Sequence, residues 1–254
     1  MSELAFAGIA DFYDLVYAGK DTAAEARYVA KLLSQHGVAP PSRLLEWGSG
    51  TGRHARALAD LGYRLTGLER SPEMLRQAEA ATGADTAVQF LQGDLLAPSP
   101  GSNYDAVIAC FHVISYLADE EALARAFANA RQALRPGGVF LFDVWHGPAV
   151  LAQGPQTRSV RFADAQRELV RIATPVHDPE QQRVDVQYRY FHRVPGDARW
   201  LLSEETHRMR YWFGSEIRRH AEQAGLHCLA VEEWLTGRPP ACDTWGVCHL
   251  LAAP

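Results

Sequence analysis

The sequence predicts an open α/β sheet, mostly parallel, with helices on both faces and an antiparallel β-rich insertion. Three observations predict it. Short apolar runs alternate with helical patterns from about residue 22 to residue 146, the rhythm of repeated strand–helix units. Two of those runs, Tyr104–Cys110 and Val139–Val144, are almost unbroken in apolar residues, as suits strands buried on both faces. From residue 157 to residue 212 the pattern becomes alternating, as in RVDVQYRYFHR (183–193), which suits antiparallel strands with one polar face. Together these describe a Rossmann-like sheet with an added β layer.

The elements follow in order. Thr22–Gln35 has the spacing of an amphipathic helix and stops at Gly37 and the Pro40-Pro41 pair. Arg43–Trp47 is a short strand, His54–Leu61 the next helix and Tyr63–Leu68 a second strand. Ser71-Pro72 starts a helix, with serine as N-cap and proline at the first position. Ala87–Leu91 is a third strand, and Ala118–Leu134 is a long alanine-rich helix. Arg135-Pro136-Gly137-Gly138 reads as the turn that ends it. Beyond the alternating region, Gly214–Gly225 returns to helix, and strands are expected near Leu226–Trp234 and Trp245–Leu251. The division expected is one core made of residues 1–156 and 213–254, with residues 157–212 inserted as an antiparallel cover.

Composition bounds the function. The chain has 254 residues, 47% hydrophobic and 22% charged, with a formal net charge of −5. That is an ordinary globular balance without the concentrated basic footprint of nucleic-acid binding. No apolar run is long enough to span a membrane. The opening MSELAFAGIADFYD lacks the basic and apolar regions of a secretory leader. Cys110, Cys228, Cys242 and Cys248 are irregularly spaced, so they are expected to be small core residues in a reducing, cytoplasmic setting. No HExxH, clustered Cys/His set or GxSxG elbow occurs, so neither metal nor hydrolase chemistry is expected.

In an open α/β sheet, ligands bind beyond the carboxyl ends of the strands, near the switch in strand order. The first strand–turn–helix here reads Leu44-Leu45-Glu46-Trp47-Gly48-Ser49-Gly50-Thr51-Gly52. Alternating glycines let the backbone turn sharply and let a ligand approach closely. A dinucleotide fingerprint would be GxGxxG; here Arg53 stands where its third glycine would fall. Glu46, immediately before the turn, repels a pyrophosphate and attracts an ammonium group. Glu69, at the end of the second strand, is placed to accept hydrogen bonds from both hydroxyls of a ribose. Asp94, in Gly93-Asp94-Leu95 after the third strand, is placed for an adenine amino group.

The ordered set LLEWGSGTG (44–52), GLERSPEML (67–75), QGDL (92–95), YDAVIACFHVISYL (104–117) and LRPGGVFLFDVW (134–145) resembles the class I S-adenosylmethionine-dependent methyltransferases. The resemblance implies S-adenosylmethionine as cofactor and S-adenosylhomocysteine as product. It implies that Glu46 and the loop Gly48, Ser49, Gly50 and Gly52 surround the methionine part. Glu69 with Arg70 would lie at the ribose, Met74 beneath the adenine, and Asp94 with Leu95 at the adenine edge. Cys110, Phe111 and His112 would form the end of the fourth strand, facing the sulfonium. The segment DFYDLVY (11–17), followed by AAEA (23–26), is similar to the sugar N-methyltransferases that dimethylate aminosugar nucleotides. That similarity puts Tyr13 and Tyr17 in the methyl-transfer chamber.

Three candidates then carry the acceptor chemistry: His112, whose ordinary pKa of about 6.5 suits proton transfer, Tyr17, and His146 at the end of the fifth strand. In the insertion Glu205, His207 and Met209 share one face and Thr206, Arg208 and Arg210 the other, with Arg208 or Arg210 available to an acidic acceptor. Arg238, Asp243 and Trp245 suggest a pocket rim. The function expected is methylation of a small-molecule acceptor, first an amino group on a nucleotide-linked sugar. O-methylation with His112 as base and methylation of a small amine such as glycine stay open, as does a homodimer. The rivals outside the class are a nicotinamide-dependent oxidoreductase and a non-catalytic binder of the same cofactor. No nucleic acid, membrane or metal partner is expected.

Overall fold

The computed structural model describes residues 7–83, 87–194 and 196–254; the first six residues of the opening MSELAFAGIADFYD lie outside them. A 3-10 turn at Ala7–Phe12 leads into a single helical turn, α1 (Tyr13–Val16), and then α2 (Thr22–Gln35). Six strand–helix segments follow: β1 (Arg43–Trp47), α3 (Arg53–Asp60), β2 (Arg64–Glu69), α4 (Pro72–Ala81), β3 (Val88–Gln92) and β4 (Tyr104–Ala109). Then come α5 (Glu120–Ala133), β5 (Leu134–Trp145) and α6 (Gly147–Gln153).

The helices start where their caps say. Asp21 accepts from the Ala24 N–H at 2.8 Å, Ser71 from Met74 at 3.3 Å, and Asp119 from Ala122 at 2.7 Å, each satisfying a donor that the first helical turn leaves open. The Asp119 cap also moves the start of α5 from the expected Ala118 to Glu120.

Strands β1 to β5 run parallel in the order β3-β2-β1-β4-β5, and the sheet is completed by β11 (Gly246–Ala252) and β10 (His227–Glu233). β11 lies antiparallel to both β5 and β10. The chain thus builds outward from β1 in one direction and returns to β4 on its other side, so the switch point lies between β1 and β4. Two apolar layers hold it. Leu44, Ile108 and Leu141 pack against Val29, Leu33 and Leu58 of α2 and α3 on one face. Leu45, Trp47, Phe140 and Phe142 pack against Phe127 and Ala130 of α5 and Ile217 of α7 (Gly214–Gln223) on the other. This double burial explains the unbroken apolar runs.

One expected turn is not a turn. Arg135–Gly138 lies inside β5 as a bulge: Leu134 pairs with Tyr104, and pairing resumes at Val139 with Ala106. The C-terminal end of the chain keeps this stretch in the sheet, because Gly137 N–H donates to the Ala253 carbonyl and Ala253 N–H to Gly138. Gly137 takes a left-handed φ of 71°, which the bulge requires and glycine permits.

A second sheet, order β6-β7-β8-β9, is formed by β6 (Arg158–Ala163), β7 (Glu168–Asp178), β8 (Arg183–Arg193) and β9 (Leu201–Arg210), all antiparallel. The alternating pattern EETHRMRYW predicts a strand over Glu204–Trp212, but β9 starts at Leu201 and ends at Arg210, and Trp212 bridges to His146. The face assignment is as read: His207 and Met209 are buried and Thr206 and Arg208 exposed. Cys110 and Cys248 are buried and free, whereas Cys228 and Cys242 are exposed, which corrects the expectation that all four are core residues. Among the described residues no helix is long and apolar enough to cross a membrane.

Candidate active site

The glycine turn occupies the carboxyl end of β1 beside the switch point. Gly48, Gly50 and Gly52 have φ of 63°, 56° and 74°, so all three sit in the left-handed region that other residues enter at a cost. Space is as strict as dihedral. A Cβ on Gly52 would lie 2.3 Å from the Phe90 ring, and one on Gly48 2.7 Å from Val113.

Glu46 stands at the head of this loop, 2% exposed. Burial drives its carboxyl from the ordinary 4.5 up to about 7, and its Oε2 has no hydrogen-bond partner. The nearby Ser49 hydroxyl is likewise buried and unpartnered. Buried polar atoms are rarely left open, and a carboxylate beside a backbone cradle is what an ammonium group would satisfy. The site therefore fits the amino-acid end of S-adenosylmethionine.

Glu69 closes the next strand. Its Oε2 accepts from Gly50 N–H at 2.9 Å and its Oε1 from Ser71 N–H at 2.7 Å, so it braces the loop and keeps further lone pairs on each oxygen. Arg70 and Asp94 form a half-exposed ion pair at 3.8 Å, and Asp94 also accepts from Leu96 N–H. Met74 is buried and Leu95 packs against the core. Glu46, Glu69 and Asp94 thus stand at the ends of β1, β2 and β3 in turn.

Beyond β4 the chain turns through Cys110, Phe111 and His112. Cys110 is buried, which raises its thiol pKa, and Phe111 and His112 take φ of 68° and 62°. Two left-handed non-glycine residues in succession are costly. Asp143, on β5 and 1% exposed, holds them: both its oxygens accept from His112 N–H, at 3.1 and 3.2 Å. The same carboxylate lies 2.6 Å from His112 Nδ1, which leaves Nε2 as the free edge of the ring.

The N-terminal segment covers this corner. Tyr13 and Tyr17 meet at a tilt with ring centroids 4.7 Å apart, and Tyr17 meets Phe111 edge-on at 5.1 Å. Burial raises both phenols, Tyr17 to about 12. Lys20 lies 3.3 Å from the Phe111 ring centroid and pairs with Glu25 at 3.1 Å. Arg53, the residue that breaks a dinucleotide fingerprint, has a job here: its guanidinium donates to the carbonyls of Tyr17 at 2.7 Å and Lys20 at 3.4 Å. Thr51 donates to Asp14 at 2.9 Å. The loop that carries the glycines therefore also fastens the segment above it. Arg53→Ala removes charge-assisted bonds of about 1.5–3 kcal/mol. It is expected to open residues 7–20 to limited proteolysis and to weaken cofactor binding roughly tenfold. Unchanged proteolysis would show that the segment is held by other contacts.

Other expected residues lie elsewhere. His146 turns its Nδ1 to the Thr244 carbonyl at 3.1 Å, its backbone N–H donates to Trp245, and burial lowers its pKa. The neighbouring Trp145 is the one that meets the His112 ring, at 6.2 Å. Arg208 pairs with Asp185, and Arg210 with Glu216, on the face opposite His207. Arg238 pairs with Glu233, and Trp245 packs edge-on against Trp145.

Sequence reasoning missed Asp143, Lys20 and Tyr116. Asp143 was findable, because an acidic residue near the end of a central strand follows the same rule that picked Glu46 and Glu69. Lys20 carries no signal, since its place depends on how the segment folds back.

Comparison with known proteins agrees with this geometry. A family model described as a methyltransferase domain matches residues 44–138. The chain is 33% identical, over 231 residues covering 90% of it and 94% of the relative, to dTDP-3-amino-3,4,6-trideoxy-alpha-D-glucopyranose N,N-dimethyltransferase of Streptomyces venezuelae. It is 30% identical, over 91% of its length and 87% of the relative's, to dTDP-3-amino-3,6-dideoxy-alpha-D-glucopyranose N,N-dimethyltransferase of Streptomyces fradiae. The crystal structure of Streptomyces venezuelae DesVI superposes with a TM-score of 0.81 at 27% identity, covering 96% of this chain and 98% of that one. With a carboxylate-headed glycine cradle at its switch point and these relatives along nearly its whole length, the chain belongs to the S-adenosylmethionine-dependent methyltransferases.

Proposed function

We propose that the chain methylates the amino group of a nucleotide-linked aminosugar. The observation that carries this reading is the chamber beside the glycine loop: Tyr13, Tyr17, Phe111 and the His112–Asp143 pair converge on the end of β4. The two Streptomyces relatives, which act on dTDP-linked 3-amino sugars, supply the acceptor class.

Glu46, Gly48, Ser49, Gly50 and Gly52 would hold the methionine part of the cofactor, Glu69 and Arg70 its ribose, and Met74, Asp94 and Leu95 its adenine, with Cys110, Phe111 and Tyr13 closing over it. When bound, the cofactor supplies a methyl group on a sulfonium, a leaving group that needs no protonation. The protein's share is then to orient the acceptor, exclude water and manage one proton. Tyr17 and Phe111 give the acceptor an aromatic wall. His112 Nε2, with Nδ1 held by Asp143, accepts a hydrogen bond from the acceptor amine and aims its lone pair. His146 is assigned to the rim, where it steadies the loop before β11.

The division proposed is a core of residues 1–156 and 213–254, with residues 157–212 roofing the acceptor pocket. The setting is cytoplasmic, with a small molecule as the partner and no nucleic acid, membrane or metal.

Incubation with S-adenosylmethionine and the dTDP-linked 3-amino-3,4,6-trideoxyglucose of the S. venezuelae relative is expected to add methyl groups to the sugar nitrogen, read by mass spectrometry. A second reading, O-methylation, is favoured by the Asp143–His112 pair, which resembles a general base with its orienting carboxylate. The 3-hydroxy analogue separates the two. Methylation of the hydroxyl sugar alone would overturn the amine assignment.

A further inference from the structure

A chain of three polar side chains, with a buried histidine at its centre, links the turn after β4 to the second sheet. Tyr116 Oη, in the 3-10 turn just after His112, lies 2.9 Å from His207 Nδ1, and His207 Nε2 lies 3.0 Å from Glu205 Oε2. His207 is 3% exposed, and the Glu205 side chain is nearly as deep. Tyr188 meets the His207 ring edge-on at 4.7 Å. Among the described residues, the groups that face this chain include Tyr13 from α1, Tyr17 just after it, Tyr188 and Tyr190 from β8, and the guanidinium of Arg171 from β7. Tyr13, Tyr17, Tyr116 and Tyr188 are all deeply enclosed, yet each keeps part of its surface accessible. Tyr116 lies within electrostatic reach of Tyr188, Tyr17 and Tyr13.

The chain has a direction. A carboxylate only accepts hydrogen bonds, so Nε2 of His207 carries its proton toward Glu205. A neutral imidazole then has Nδ1 as an acceptor, so the Tyr116 hydroxyl donates to it. The lone pairs of the Tyr116 oxygen remain to accept from a ligand. An ammonium group is the ligand such an oxygen accepts from. His207 uses both ring nitrogens, one toward a phenol and one toward an acid.

We propose that Tyr116, His207 and Glu205 form a proton relay that strips the acceptor's ammonium group, delivering a free amine to the methyl donor. The inference rests on the acceptor being an amine. An N–H bond of the ammonium breaks and its proton goes to Tyr116 Oη. The Tyr116 hydroxyl proton passes to His207 Nδ1, and the Nε2 proton passes to Glu205 Oε2. The products are a neutral amine, a neutral tyrosine, the other imidazole tautomer and a Glu205 carboxylic acid. One cation and one anion become two neutral groups, which is the direction that enclosure from water favours. His112 keeps its separate task of aiming the amine.

The test uses the full chain with S-adenosylmethionine and the dTDP-linked 3-amino sugar. Glu205→Gln keeps the shape but removes the terminal acceptor, and Tyr116→Phe keeps the ring but cuts the chain. Each is expected to lower kcat/KM on the order of 10²-fold at pH 7. Each should recover as pH rises toward the amine's own pKa, where solution supplies the free base. Cofactor binding by calorimetry should be unchanged. With 15N-labelled histidine, adding the aminosugar and S-adenosylhomocysteine should exchange the protonated and bare nitrogens of His207, and Glu205→Gln should abolish that exchange. A loss of activity equal at every pH, or His207 resonances that ignore the aminosugar, overturns the relay. If the parent protein binds its cofactor but methylates only hydroxyl sugars, the acceptor reading falls instead.

Discussion

A Glu46→Gln variant is expected to be more stable than its parent above pH 7 and to gain almost nothing from S-adenosylmethionine. Both effects come from one buried oxygen. In the free protein the Glu46 carboxyl ionises near pH 7 instead of 4.5, because burial strips the charge of water and nothing pairs with Oε2. The sign follows from linkage. The unfolded chain releases this proton near pH 4.5 while the folded chain holds it to about 7, so stability falls as pH rises across that window. The penalty is complete above pH 7 and amounts to about 3 kcal/mol from the shift alone. Glutamine removes the charge but leaves an unpaired amide N–H, which returns about 1–3 kcal/mol. The net gain is roughly 1 kcal/mol at pH 8 and turns into a loss of about 1–3 kcal/mol below pH 5, where the carboxyl is neutral and only the amide's cost remains. Calorimetry at both pH values measures it.

The ligand inverts the balance. An ammonium group needs the ionised carboxylate, so the parent's affinity for S-adenosylmethionine should rise about tenfold from pH 6 to pH 8, as the ionised fraction rises through a pKa near 7. The variant should bind on the order of 10²-fold more weakly, with no such rise. A pH-independent affinity in the parent would remove Glu46 from the ammonium site.

Much of this site was legible because it follows the chain. Glu46, the glycine loop, Glu69 and Asp94 occupy consecutive strand ends, so local spacing alone orders them along the sheet edge. Ser71 and Pro72 announced α4 for the same local reason. What failed was set by distant partners. Arg135–Gly138 has the composition of a turn, but hydrogen bonds to Ala253, more than a hundred residues later, hold it in the sheet. Asp119 overrode the alanine pattern by capping α5 from outside it. The acceptor side was less legible still. His207 could be assigned to a face of its strand, but its partner Tyr116 lies 91 residues earlier in the chain, and no periodicity connects the two. Arg53 illustrates the middle ground. Its presence argued against a dinucleotide, yet its hold on the Tyr17 and Lys20 carbonyls follows only from the fold.

The second large effect is expected at Asp143, and it should exceed that of losing the histidine Asp143 supports. Asp143 does two things at once. Its carboxylate accepts the His112 backbone N–H and so stabilises a turn in which Phe111 and His112 are both left-handed, an arrangement costing about 1–2 kcal/mol per residue. It also lies 2.6 Å from His112 Nδ1, and a carboxylate there favours the proton on Nδ1 and leaves Nε2 as the acceptor. His112→Ala removes the imidazole but spares the carboxylate and the turn. It is expected to lower kcat on the order of 10²-fold with cofactor affinity unchanged. Asp143→Ala frees the backbone N–H, releases the turn and lets the tautomer drift. It should cost about 1–3 kcal/mol of stability and lower kcat by roughly 10³-fold. Asp143→Asn separates the two tasks. Its amide oxygen still accepts from the backbone, so stability should largely return, but its N–H₂ favours the opposite tautomer, so kcat should stay low. The double variant His112→Ala/Asp143→Asn should be no slower than Asp143→Asn alone, because groups acting as one unit are lost together. Additive losses in that cycle would mean that Asp143 reaches the reaction by a route other than the His112 ring.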